Sequence, residues 1–440
     1  MHVTLPLSIR TGAFWQGFAA LLLAFGVAQL LLQVDVVMLG QRAPGSPGAY
    51  VMLTRLVLID LVVTMAYGAV ASVTIAHAAR EGDASLAIRR AMGLAGLIGV
   101  LLLGAGWIAY PLLAPWVAGG DATLVRMLEL AIPWFVVGAP FRMLNACAAF
   151  ALHATQRGAW VVRWKLCEVA LKVVMNVVFL DLWEAGFAGC FMASLLVHAV
   201  STCWVLWHLR RQTGGLPAFP PLGWSRKQVV ESAWEAKRIL ALQLLGLLTI
   251  SLFASPMIST VTTARLDAFA AGLALAMFVF SPLAAFLRFL AIRFSGRSAA
   301  DLFVLMRELL FYGVPAAVIA GLLLSWGQHW LGRAVYAQEG AWWSVFVWSL
   351  AFSLPVRVAG TVLRAGLQSR GGFNEVAKTD ILLGWGLGLP VIAVGLGLDL
   401  PILAYAFLWL PEVAVVAWLA LRYRATSTAG DSPVAAVENS

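Results

Sequence analysis

Charge is scarce in this sequence. Only 12% of its 440 residues are Asp, Glu, Lys or Arg, against 62% hydrophobic residues and a mean hydropathy of +0.89. Soluble domains carry about twice that share of charge, so a large soluble catalytic or binding module is excluded. Cysteine is scarce too: Cys147, Cys167, Cys190 and Cys203 form no CxxC pair and all fall in apolar stretches. That excludes a disulfide framework and a structural zinc site, and the four are expected to be small core residues. An HExxH helix and a GxxxxGK[ST] nucleotide loop are both missing. His77, His153 and His198 share no ligand spacing and read as helix-end polar residues. No enzyme, metal or cofactor is therefore expected. Nor does the N-terminus read as a cleaved signal: Arg10 precedes an uncharged run over 11–34 that is too long for one, so it is taken as the first retained span.

What is present is a series of long apolar runs. A membrane helix takes roughly 20 apolar residues. Such runs fall near 13–39, 51–79, 91–117, 127–153, 159–182, 187–209, 231–256, 266–292, 304–331, 342–367, 376–397 and 400–421. The expected fold is an all-α integral membrane protein of about twelve transmembrane helices in two six-helix bundles. The N-terminal bundle covers 1–211, a Gly/Pro-bearing cytoplasmic linker 212–226, the C-terminal bundle 227–424 and a disordered polar tail 425–440.

The net charge of +9 speaks of orientation rather than nucleic acid. One side of the series receives Arg10, Arg80, Arg89, Arg90, Arg157, Arg163, Arg210, Arg211, Arg226, Lys227, Arg293, Arg297, Arg370, Lys378, Arg422 and Arg424. The other receives only scattered Arg42, Arg55, Arg126, Arg265 and Arg333. Both termini are therefore expected in the cytoplasm, and the preference for Arg over Lys hints at a bacterial inner membrane. The halves also repeat faintly. Trp204-Val-Leu-Trp-His-Leu-Arg-Arg at the end of span six parallels Trp418-Leu-Ala-Leu-Arg-Tyr-Arg-Ala at the end of span twelve, and Pro140-Phe-Arg142 in span four parallels Pro355-Val-Arg357 in span ten. Six spans return the chain to its starting side, so the halves would be related by an axis along the membrane normal, with a cavity between them as in transporters.

Polar side chains inside the spans line up at helical spacing. Lys165, Glu168, Lys172 and Asn176 share one face of span five, with Glu168 and Lys172 able to pair at i,i+4. Arg357, Thr361, Arg364 and Gln368 form a stripe on span ten, and Arg142, Asn145 and His153 a rougher one on span four. Span two offers Asp60, Thr64 and Tyr67. Any one of these groups could be helix-to-helix glue; together they favour a wet cavity. Asp35, between Val34 and Val36 with no base within a turn, reads as a desolvated carboxylate able to exchange a proton or hold a cation.

Gln33-Val-Asp35-Val-Val-Met-Leu-Gly40 resembles the first-span signature of the multidrug and toxin extrusion (MATE) family of the MOP flippase superfamily. Ala76-His-Ala-Ala-Arg-Glu-Gly-Asp83, Leu152-His-Ala-Thr-Gln-Arg157-Gly and Leu363-Arg-Ala-Gly-Leu-Gln-Ser-Arg370 are similar to its loops after the second, fourth and tenth spans. The resemblance implies an antiporter exporting amphipathic organic compounds against inward proton or sodium flow, with Asp35 and Asn176 in cation coupling. Lys172 and Glu168 would tune Asp35, while Arg142, Asn145, Asp60, Arg357 and Thr361 would line the substrate cavity.

Two departures from the family's pattern stand out. Lys172 occupies a place where members often carry Asn, and span ten carries Arg357 where some carry acid. The deep groups, Arg142, Lys172, Arg288, Arg357 and Arg364 against Asp35, Asp60, Glu168 and Glu412, would attract anions at least as well as cations. This keeps open a flippase for anionic lipid-linked saccharide precursors. The expected partners are a small-molecule substrate and membrane lipid, with no nucleic acid, and the expected state is a monomer.

Overall fold

The computed structural model describes residues 11–42, 49–50, 52–53, 56–119, 121–255 and 263–429. Arg10, Arg55 and the tail beyond 429 lie outside the described residues. Among the described residues the chain is helical almost throughout, with no strand. Twelve long segments follow the order of the apolar runs: α1 (Gly12–Arg42), α2 (Leu58–Glu81), α3 (Ala84–Val117), α4 (Ala122–Val137 and Ala139–Ala154), α5 (Gly158–Val177), α6 (Gly186–Thr213), α7 (Leu222–Phe253), α8 (Thr263–Phe294), α9 (Ala299–Trp326), α10 (Ala341–Gln368), α11 (Phe373–Leu383 and Leu389–Gly397) and α12 (Pro401–Ala404 and Leu410–Ala429).

Nine of these are long and apolar enough to cross a membrane, and the bent α4 makes a tenth. Polar residues on α5 explain why it fails that test: Lys165, Glu168 and Lys172 interrupt its apolar run. Outward faces are as apolar as inward ones. Along α3, Ile108, Leu112 and Trp116 are 69%, 71% and 88% exposed, which is stable only where the solvent is lipid. The chain is a multi-pass membrane protein.

Local sequence sets the helix ends and breaks. At the C-termini of α2 and α6, Gly82 and Gly214 take left-handed backbone conformations (φ 93° and 69°) and donate their N–H groups to Ala78 and Arg210 carbonyls. In α4, Gly138 followed by Pro140 breaks the helix by 51°, because proline removes a backbone donor and its ring clashes with the preceding turn. Pro355 of α10 sits inside an unbroken helix, so the Pro-x-Arg repeat is carried by two different backbones. In α11 the Gly384–Gly388 stretch widens into a π-helical turn just before Pro390.

The described residues fall into two compact units, residues 15–236 and residues 11–14 with 237–429. In the first unit, α3 and α4 approach closely at Gly99, where a methyl group would lie 2.6 Å from Pro140 Cα. The non-helical link between α6 and α7 covers only 214–221, shorter than the expected 212–226, and it is pinned. Arg89 Nε donates to the Leu216 carbonyl at 2.8 Å, and Ala218 N–H donates to the Arg89 carbonyl at 2.9 Å.

The second unit is built around stacked aromatics. Phe253 lies 3.9 Å from Phe269 and 5.5 Å from Tyr405, centroid to centroid. Its α9 and α10 approach at Gly321, where a methyl group would stand 2.7 Å from the Ala351 carbonyl oxygen.

Three expectations need correction. Cys167 and Cys203 are exposed; only Cys147 and Cys190 are core residues, because a lipid-facing surface accepts a small apolar thiol as readily as a core does. Arg265 is not a loop charge but is buried, with Nη2 3.3 Å from the Phe253 carbonyl. The last helix continues through Ala429, past the expected start of the tail at 425.

Candidate functional site

A cavity lies within each unit, and the charged stripes of the sequence line both. In the first unit, helical periodicity brings Glu168, Lys172 and Asn176 to one buried face of α5. Asp35, 7% exposed on α1, meets that face. Lys172 Nζ lies 3.0 Å from Asp35 Oδ1 and donates to the Cys190 carbonyl at 2.7 Å and to Ser194 Oγ at 2.5 Å. An ammonium has three protons, and these are three acceptors. Asn176 Nδ2 donates to the same Asp35 oxygen at 2.9 Å, while Asn176 Oδ1 is buried without a partner.

Asp35 therefore is not the isolated carboxylate its flanking valines suggested. Its counter-ion comes from a helix that lies far along the chain. The expected Glu168–Lys172 pair is also absent. Glu168 takes Lys165 instead, at 2.6 Å, and accepts a short bond from Ser201, which in turn accepts from Trp164 Nε1 at 2.6 Å. Lys172 is drawn away from Glu168 by the acceptors of α1 and α6.

Arg142, just past the break in α4, is fully committed. Its Nε and Nη2 donate to Asp60 Oδ2 at 3.1 and 2.9 Å, its Nη1 to the Phe135 carbonyl at 2.7 Å, and its guanidinium lies 3.7 Å from the centre of the Phe135 ring. The arginine thus satisfies a carbonyl at the helix break. Asn145 ties α4 to α6, donating to the His198 carbonyl at 3.1 Å and accepting from Thr202 at 3.0 Å.

The cavity of this unit measures about 310 Å³ and is lined by Asp35, Arg142, Lys165, Glu168, Lys172 and Ser194, with Tyr50, Trp134, Phe191 and His198 among the rings. Asn176, Asn145 and Asp60 stand behind this wall. His198 is not a helix-end residue: it lies in the middle of α6 with Nδ1 buried and unpartnered. Its position seven residues after Phe191, on the face that lines the cavity, was the available signal.

The second unit's cavity measures about 270 Å³. Arg364 of α10 forks onto Asp380 of α11, with Nη2 2.8 Å from Oδ1, and onto Glu412 of α12, with Nη1 2.5 Å from Oε1. Arg238 of α7 shares Asp380 at 3.2 Å. Arg238 and Asp380 escaped the sequence reading because they fall near the starts of the expected spans 231–256 and 376–397, where a charge looks like an interfacial one, although α7 begins at Leu222 and places Arg238 at its middle. Pairing a buried Arg364 with an acid was the signal that could have found Asp380.

Arg357 and Thr361, one turn apart on α10, line the same wall. Arg357 Nη2 donates to the Leu408 carbonyl at 3.2 Å, and its guanidinium lies 3.9 Å from the centre of the Phe280 ring. Among the described residues no carboxylate is within ion-pair distance of it, and its Nε is buried with no partner. The rest of the wall is apolar, with Leu242, Leu283, Leu287 and Ile392. No cluster of three or more His, Cys, Asp or Glu among the described residues could hold a metal ion. Both cavities can bind small polar or amphipathic groups.

No family model and no curated protein sequence matches this chain. Solved structures do. The MATE transporter VcmN of Vibrio cholerae in its bent form superposes with a TM-score of 0.79 at 14% identity, over 95% of this chain and 97% of that one. A MOP superfamily transporter from Pyrococcus furiosus gives 0.79 at 13% identity over 96% of each chain. A MATE structure in the straight conformation gives 0.79 at 14% identity, over 94% and 96%. The fold is that of the MATE transporters.

Proposed function

We propose that this chain is a secondary active transporter that exports small amphipathic organic compounds by alternating inward and outward access, driven by inward flow of a coupling cation. The observation that carries this reading is the constellation of Asp35, Lys172 and Asn176 in and behind the wall of a membrane-embedded cavity. Ionisable groups inside a bilayer are costly and belong to ion or substrate pathways by default.

The arrangement favours the proton over sodium, because the Lys172 ammonium already stands where a sodium ion would sit beside Asp35. Protonation of Asp35 would remove its attraction for Lys172, which keeps the Cys190 and Ser194 acceptors, and would release α1 from α5. In this reading the protein is a monomer in the bacterial inner membrane, with both termini cytoplasmic, and carries neither cofactor nor catalytic site.

A second reading, a flippase for anionic lipid-linked saccharide precursors, is favoured by Arg357, a cation without a carboxylate. The Pyrococcus furiosus transporter is described as having a binding pocket of reverse polarity that suggests a different function, so polarity can change on this fold.

Transport in proteoliposomes separates the readings. Fluorescent organic cations and anions are followed under an imposed proton or sodium gradient, in wild type and Asp35→Asn. Proton-driven flux that disappears in the variant supports the exporter. Flux undiminished in Asp35→Asn, or driven by sodium alone, overturns the coupling scheme. A labelled anionic lipid-linked sugar crossing the bilayer while no small molecule moves gives the flippase.

A further inference from the structure

Arg142 and Arg357 occupy matching places in the two halves, each the third residue of a Pro-x-Arg run. Their surroundings match in two respects and differ in a third. Each guanidinium lies over a phenylalanine ring, Phe135 at 3.7 Å and Phe280 at 3.9 Å. Each also donates to a carbonyl where a helix is interrupted: Phe135 at the break in α4, and Leu408 at the end of the 3₁₀ turn Tyr405–Leu408 in α12.

Arg142 then has Asp60 of α2, which takes both Nε and Nη2. Carrying the spacing between the two arginines over from Asp60 lands on Leu275 of α8, a buried leucine. The carboxylate that neutralises the first arginine has no counterpart for the second. The acids that line the second cavity, Asp380 and Glu412, are both held by Arg364, and Arg238 takes a further share of Asp380.

Arg357 is thus a positioned guanidinium facing a closed ion cluster on one side and an apolar wall on the other. Its Nε–H is buried and unused. A ring beneath it and a carbonyl at Nη2 hold its plane fixed, leaving Nη1 for a planar or tetrahedral anion.

We propose that the cavity of the second unit is an anion subsite, in which the Arg357 guanidinium binds the carboxylate or phosphate of an amphipathic ligand whose apolar body lies against Leu242, Leu283, Leu287 and Ile392. Thr361, one turn along, offers a hydroxyl to the same group. A volume of about 270 Å³ suits a small organic anion or the headgroup end of an anionic lipid, at the lower limit of small-molecule sites. This deepens the transport reading, on which its significance rests, by naming the charge of the cargo. Binding itself does not depend on transport.

The test is equilibrium binding of a matched pair to the full chain in nanodiscs of neutral lipid: radiolabelled 1-naphthaleneacetate and its neutral amide. These share one apolar body and differ in the charge of the head group, and protein-free nanodiscs of the same lipid give the partition of each compound, which is subtracted. The wild type should bind the anion at least tenfold more tightly than the amide. Arg357→Gln should bring the two within twofold of each other, and Arg357→Lys should restore part of the preference, with unchanged thermal unfolding reporting an intact fold.

Equal affinity for anion and amide in the wild type, no binding of either, or an anion preference that survives Arg357→Gln would each overturn the proposal. Repeating the measurement in nanodiscs containing phosphatidylglycerol distinguishes the two sources of the anion. Competition that depends on Arg357 makes the occupant a lipid headgroup, and undiminished naphthaleneacetate binding makes it a free solute. Anion binding with no gradient-driven flux would leave this site standing and sink the exporter instead.

Discussion

The two cavities are lined by the same inventory, three basic residues and two acidic ones, yet they distribute it differently. In the first unit each cation has its own carboxylate: Lys172 with Asp35, Lys165 with Glu168, and Arg142 with Asp60 from behind the wall. In the second, Arg364 takes both acids and shares one of them with Arg238, and Arg357 is left with a carbonyl and a ring. The first arrangement consists of three separate pairs. The second is a closed knot that ties α7, α10, α11 and α12 together beside a single uncompensated charge. Composition alone does not distinguish separable pairs from a closed knot; the pairing does.

The comparison can be broken most forcefully at the knot. Arg364→Ala strands Glu412 in a buried setting and leaves Asp380 with Arg238 alone, and removing one partner of a buried ion cluster costs about 3–5 kcal/mol. Thermal unfolding of the purified protein should fall sharply, and a small change would mean that the acids find other partners. Next in size is an asymmetry between the two matching arginines. Arg142→Gln leaves Asp60 without its cation and should destabilise the protein by about 3 kcal/mol, at the low end of that range because the pair is partly open. Arg357→Gln strands no acid and should shift stability by less than about 1 kcal/mol. Equal losses in the two variants would show that Arg357 has a structural partner after all.

A subtler effect sharpens the contrast in the first unit. Lys172→Met removes the built-in ammonium beside Asp35, so sodium gains access to the vacated position. At a sodium concentration tenfold above its dissociation constant the variant should be stabilised by about 1.4 kcal/mol, where the wild type shows no sodium dependence. The smallest effect belongs outside both cavities. Arg333 and Glu339 pair at 2.7 Å but are 72% and 67% exposed, and such pairs contribute about 1 kcal/mol or less. Arg333→Ala should leave unfolding and transport nearly unchanged.

The amino-acid sequence by itself determined the solvent and the segments. Apolar runs of bilayer length specify helices that are apolar all round, and the 3.6-residue period placed Glu168, Lys172 and Asn176 on one face of α5 before any contact was known. Proline by itself did not mark the break: α4 is interrupted beside Pro140, whereas Pro355 in the same repeated run leaves its helix intact. Sequence could not assign partners. Glu168 and Lys172 are four residues apart and could pair along the helix, but Lys172 turns to Asp35, Cys190 and Ser194, and Glu168 to Lys165 and Ser201.

Arg364 likewise meets Asp380 and Glu412 from two other helices, neither of them suggested by a stripe on its own. The physical reason is that periodicity is a local property, fixed by the rise and twist of one helix, whereas an ion pair in a low-dielectric interior is decided by which helices stand within a few ångströms and which acceptors they bring. The tertiary structure alone decided that Asp35 has a counter-ion and that, among the described residues, Arg357 has no carboxylate within ion-pair distance.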